Sequence, residues 1–109
     1  MSDVLVILCT FPHGDQARQI GTVLVERQLV ACVNFLPAVE SIYRWQGEVE
    51  HATEVLAIFK TTQASFAEFS QVLTELHPYE VPEIIALSPA QIAPAYAAWV
   101  LNNVARPDR

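Results

Sequence analysis

An α+β sandwich of the split βαβ type, with a long β-hairpin and an extra C-terminal helix, is the fold class that the sequence predicts. Strand-like and helix-like apolar patterns follow one another in the order βαββαβα. The chain has 109 residues, 52% hydrophobic and 17% charged, enough for one domain over residues 1–109 with one core. Strand character runs up to Gln46, and Gly47 sits where a hairpin should turn.

Each element has its own justification. Val4 to Thr10 is a continuous apolar and β-branched run, as expected of a central strand buried on both faces. Phe11-Pro12-His13-Gly14 turns the chain. Asp15 is placed to cap a helix with Ala17, Ile20, Val23 and Leu24 on one side; Gly21 within it is a mild cost, tolerable where something packs closely. Val30 to Leu36 reads as the second strand, and Pro37 marks a bulge or an edge before strand character resumes from Val39 to Gln46. Glu54 to Thr61 alternates with both faces apolar, which predicts a central strand. Ser65-Phe66-Ala67-Glu68 matches a capping box, and Phe66, Phe69, Val72, Leu73 and Leu76 follow at helical spacing. His77-Pro78-Tyr79-Glu80-Val81-Pro82-Glu83 cannot be helical, because its prolines hold the backbone extended. Glu83 to Ser88 is expected as a fourth core strand. Pro94 suits the first turn of a last helix bearing Tyr96, Trp99, Val100 and Val104 on one face.

The first six elements form the ferredoxin-like arrangement, with sheet order 4-1-3-2 and helices on one face. The second strand then lies at an edge, where Tyr43 and Trp45 call for a covering subunit. On the expectation that strands one and three run parallel, with two and four antiparallel to them, four stretches converge on one rim. They bring Cys9 and Thr10, Lys60 and Thr61, Cys32 and Asn34, and His77 to Glu83.

The net charge of -6 argues against nucleic acid, whose phosphates require Lys and Arg, and against an anionic membrane surface. Two cysteines, Cys9 and Cys32, are too few for a disulfide framework and point to a reducing compartment. The apolar run at residues 4–9 is short and has no basic residue before it, so neither a signal peptide nor a membrane span is expected, and the cytoplasm is the expected location. There is no HExxH, glycine-rich phosphate loop or activated Ser/His/Asp set, and no catalytic residue is assigned. Acylphosphatase-type chemistry would need an arginine in the first loop, which Phe11 to Asp15 lacks.

Ala31-Cys32-Val33-Asn34, Ser41-Ile42-Tyr43-Arg44-Trp45-Gln46-Gly47, Lys60-Thr61 and His77-Pro78-Tyr79-Glu80-Val81-Pro82-Glu83-Ile84, in that order, resemble the CutA divalent-cation-tolerance family. The resemblance extends over nearly the whole chain. It departs at Ile92-Ala93-Pro94 and Tyr96-Ala97, where the family usually has a glycine entering the last helix and a Tyr-Leu pair within it. It implies a homotrimer joined through the long hairpin strands, similar in architecture to the PII signalling proteins, and a link to copper and other divalent cations. The proposed copper ligands of the family include a cysteine matching Cys9 and two successive histidines, of which the second matches His77 and the first position is Leu76.

Several residues admit two readings. Cys9 is either a buried thiol filling the core or a ligand for a soft ion, Cu(I), or for Cu(II) with imidazole. His77 is either a hydrogen-bonded structural group or its co-ligand. Together they supply two ligands where a tight structural zinc site needs about four. Tyr43 and Trp45 anchor a subunit interface or border a cleft between subunits. Lys60 pairs with Glu83 or Glu80, or holds an anion. Cys32, Asn34, Lys60, Tyr79 and Glu83 are the candidate cleft residues; His13 and His51 read as solvated side chains. Two further readings stand beside a metal-binding trimer: a PII-like sensor of a small anionic metabolite, and a structural or anchoring trimer without a ligand.

Overall fold

A computed structural model describes residues 3–105. Along the chain run β1 (Val4–Phe11), α1 (Gly14–Glu26), β2 (Cys32–Trp45), β3 (Glu48–Thr62), α2 (Phe66–Leu76), β4 (Ile85–Leu87) and α3 (Pro94–Asn103). The sheet order is β2-β3-β1-β4, the expected split βαβ arrangement with β2 and β4 at the edges. Every neighbouring pair is antiparallel, β1 and β3 included. That corrects the expected parallel alignment of the first and third strands: Val4 faces Thr62, and Phe11 faces Val55. The crossover through α1 returns the chain so that β2 runs parallel to β1, and the hairpin then reverses it, so β3 must oppose β1.

The register sorts the side chains. Leu5, Ile7, Cys9 and Phe11 of β1 share a face with Val55, Ala57 and Phe59 of β3 and with Val33 and Phe35 of β2. Against that face α1 packs Ala17, Ile20 and Leu24, and α2 packs Phe69, Val72 and Leu73, closing the main core. The opposite face is apolar too: Leu8, Leu36, Leu56 and Ile58 lie there with Ile85 and Leu87 of β4, all half-buried or exposed. A second small core joins Val4 and Ala31 to Val100 and Val104 around α3.

β2 is a single strand with a bulge between Leu36 and Val39, where Ala38 takes φ 59°. Pro37 cannot donate to the ladder, and one positive φ lets the strand step past it. The hairpin closes between Trp45 and Glu48 with Gln46 at φ 51° and Gly47 at φ 81°. Two left-handed residues give a tight turn whose twist matches the strands, and glycine is at ease in one of them.

Local signals in the sequence were redirected at three points. His13 holds the N-cap position of α1 without a side-chain cap bond, and Asp15 sits inside the first turn, bonded to Arg18 at 2.5 Å. Ser65 precedes α2 without capping it through its side chain; its hydroxyl donates instead to the Ala105 carbonyl at 2.9 Å, tying down the segment after α3. The fourth strand is three exposed residues at an edge, not the longer core strand expected from Glu83 to Ser88, because the Pro82 region stays out of the ladder and only β1 lies beside it. Gly21 does meet a close neighbour: a Cβ there would stand 2.8 Å from Phe35 Cζ.

Candidate functional site

The chain leaves α2 at Leu76, and Pro78 biases the residue before it away from helical geometry. His77 accordingly stops the helix at φ -71°, ψ 140°. The residue is only 7% exposed, and its ring stacks on Phe11 with centroids 4.5 Å apart. His77 Nδ1 accepts the Tyr79 backbone N–H at 3.0 Å, and Nε2 lies 2.8 Å from the Thr10 carbonyl oxygen. A carbonyl can only accept, so the imidazole is neutral with its proton on Nε2. Burial lowers the His77 pKa below its ordinary value of 6.5, outweighing the Thr10 bond and the Glu54 charge, which act the other way.

Held by its backbone, Tyr79 reaches Glu54 of β3 and donates its hydroxyl to Oε2 at 2.5 Å. Burial, then this bond and the charge of Glu54, raise the phenol pKa well above its ordinary value. Glu54 is itself buried, 7% exposed, and among the described residues has no Lys or Arg within ion-pair distance. Cys9 is fully buried on the core face, its thiol 3.8 Å from the Thr10 carbonyl. Burial pushes its pKa up to about 12, with the charges of Glu83 and Glu54 adding to the effect.

Between this segment and the outer part of β2 opens a cleft of about 750 Å³. Tyr43 and Trp45 line one wall, Tyr79 the other, and the carboxylates of Glu40, Glu54, Glu80 and Glu83 border it. None of the lining residues is Lys or Arg. Such a surface attracts cations and repels anions.

The antiparallel sheet divides the rim expected from the sequence. Cys9, Thr10, His77, Tyr79 and Glu83 do gather where β1 ends, joined by Tyr43 and Trp45. Cys32, Asn34 and Lys60 lie at the other end of the sheet, with Cys32 and Val6 both in register with Lys60. There Lys60 donates to Asn34 Oδ1, not to Glu80 or Glu83, and Cys32 Sγ lies 3.7 Å from the Tyr96 hydroxyl. That contact, with some burial, raises the Tyr96 pKa. His13 stands at the N-cap position of α1 with no side-chain bond to the helix, and His51 sits on the hairpin opposite Ile42. Among the described residues no group of three or more His, Cys, Asp or Glu is arranged to hold a metal ion. Glu54 was missed in the sequence; its signal was a carboxylate opening an otherwise apolar strand.

Residues 5–103 match the family model described as CutA1 divalent ion tolerance protein. The divalent-cation tolerance protein CutA of Thermus thermophilus is 46% identical over 98 residues, 90% of this chain and 95% of that protein. Protein CutA of Homo sapiens is 40% identical over 91 residues, 84% of this chain, which spans only 51% of the human protein. Among solved structures, CutA from Xylella fastidiosa superposes with a TM-score of 0.92 at 38% identity, covering 95% of this chain and 100% of that one.

Proposed function

The chain belongs to the CutA1 divalent ion tolerance family, and from that premise we propose that it is a homotrimeric binding protein, not an enzyme, whose acidic cleft attracts divalent cations, copper among them. The cleft wall carries this reading: four carboxylates and no Lys or Arg border it. Carboxylate oxygens suit hard divalent ions, and Cu(II) accepts mixed oxygen and nitrogen ligands. Because no three-ligand cluster is preformed among the described residues, one chain supplies an incomplete shell, which water or a second subunit completes. The affinity is therefore modest.

Self-association is supported by what the single chain leaves uncovered. The apolar sheet face away from α1 and α2 and the hairpin aromatics, Tyr43 at 43% and Trp45 at 50% exposure, need a partner. No helix among the described residues is long and apolar enough to cross a membrane. The free thiols of Cys9 and Cys32 suit a reducing compartment, and the cytoplasm is the proposed location. The rival reading, a sensor of an anionic metabolite, draws no support from a cleft of this charge.

Calorimetric titration with Cu(II) and Zn(II) tests the reading. Neutralising Glu40 and Glu80 together, as Glu→Gln, should weaken binding by about tenfold or more, about 1.4 kcal/mol. Unchanged affinity, or a small anion that copurifies in the cleft, would reject it. Sedimentation at micromolar concentration should show three chains per particle.

A further inference from the structure

We propose that His77 is a positioning residue for the cleft and that neither His77 nor Cys9 ligates the cation. This inference rests on the cleft reading above but is separable from it.

A metal ligand must present a free lone pair, and a neutral imidazole has a single candidate, the unprotonated nitrogen. In His77 that nitrogen is Nδ1, already occupied by the Tyr79 N–H at 3.0 Å. The other nitrogen points its proton at the Thr10 carbonyl, 2.8 Å away. Metal at Nδ1 would orphan the Tyr79 N–H, and metal at Nε2 would leave the Thr10 carbonyl only the weak Cys9 thiol at 3.8 Å. Either way a part-buried backbone group loses its better partner. Phe11 stacks on the ring besides, so the ring cannot turn without leaving its packing. Cys9 offers no better case. It has no exposed surface, and its neighbours Glu54 and Glu83 oppose a thiolate.

These contacts form a line with a direction. The end of β1 holds His77, His77 holds the Tyr79 backbone, and the Tyr79 phenol holds one oxygen of Glu54. Glu54 is the buried carboxylate of the cleft, and it has no cationic partner among the described residues. The imidazole thus sets where the cleft carboxylate stands without touching what the cleft binds. The position before His77 is Leu76, 41% exposed, so a pair of adjacent imidazoles cannot form here.

Nitrogen-15 spectra of the His77 side chain, before and after saturation with Zn(II), test the proposal. The neutral form protonated on Nε2 is expected in both. Cys9→Ala should leave Zn(II) and Cu(II) affinity within about twofold. His77→Gln and Tyr79→Phe should each weaken Zn(II) binding by about three- to tenfold, and the double variant by no more than the weaker-binding single, since they act in one line. Should His77→Gln fold poorly, Tyr79→Phe with His77 in place carries the affinity comparison. Zn(II) ligation shifts at a His77 nitrogen, or loss of binding in Cys9→Ala, would overturn the proposal. If the wild type takes up no Zn(II), the cleft reading falls and hydrogen exchange decides this one. Loss of protection at the Tyr79 amide in His77→Gln upholds the positioning role of His77, and unchanged protection overturns it.

Discussion

The two long strands of the hairpin live in two different solvents. The inner half of β3, from Val55 to Thr62, is buried or half-buried throughout, with β1 beside it; the outer half, from Glu48 to Thr53, pairs with β2 alone and is almost wholly exposed. Yet the outer half of β2 carries Ile42, Tyr43 and Trp45, as apolar as many core positions. The same ladder of hydrogen bonds runs through both halves. What differs is the third layer, because the helices cover only the inner part. Pairing gives a strand its shape, and burial gives it its stability.

The largest effect should come from the inner half. Phe59 is fully buried and meets Phe69 edge-on at 5.3 Å. Phe59→Ala should cost about 3–5 kcal/mol in denaturant unfolding. A loss below 1 kcal/mol would mean that the helix layer is not the source of stability. Trp45→Ala sharpens the contrast from the other side. As a surface change it should move the stability of the isolated chain by no more than about 0.5 kcal/mol. If Trp45 anchors the proposed interface, the same change should weaken association by about 2 kcal/mol or more, read from sedimentation across a dilution series. Equal effects on both would erase the distinction between the halves.

At the junction of the halves, Tyr79→Phe removes the donor to Glu54 and should destabilise the fold by about 1–3 kcal/mol. Glu54→Gln in the same background should add little beyond it, which thermal melts of the double variant would check. The smallest effect is that of pH. His77 has a folded pKa below 6.5, so on acidification the unfolded chain binds the proton first. Its contribution to stability is complete above pH 6.5 and declines as the pH falls from there towards the folded value. Urea midpoints for wild type and His77→Gln should therefore converge on acidification. Parallel curves would mean that the imidazole is not held neutral.

Much of this architecture was legible in the chain. The apolar run from Val4, the helical spacing after Phe66, Pro94 opening α3 and Gly47 in the hairpin turn all specify local backbone states, and those states hold in the fold. Pro37 marked the bulge for the same local reason. The site was legible only in part. Cys9, His77, Tyr79 and Glu83 meet as expected, but Cys32, Asn34 and Lys60 do not join them. Strand direction is a property of connections, not of residues, and the two directions of β3 place Lys60 at opposite ends of β1. Ser65 and Asp15 do not act as caps: Ser65 already has helical backbone angles and donates its hydroxyl to Ala105, and α1 begins before Asp15, which bonds Arg18 from inside the first turn.

By itself, then, the sequence determined the order of elements, the edge position of β2 and the family, since each rests on periodicity, proline and glycine, or the joint order of motifs. Only the tertiary structure decided what His77 is free to do. The residue type allows a ligand, a base or a strut. The choice among them is made by Thr10, Phe11 and Tyr79, whose carbonyl, ring and amide occupy both nitrogens and stack on the ring. No spacing along the chain encodes that occupancy, because Thr10 lies 67 positions away and reaches His77 only through the fold.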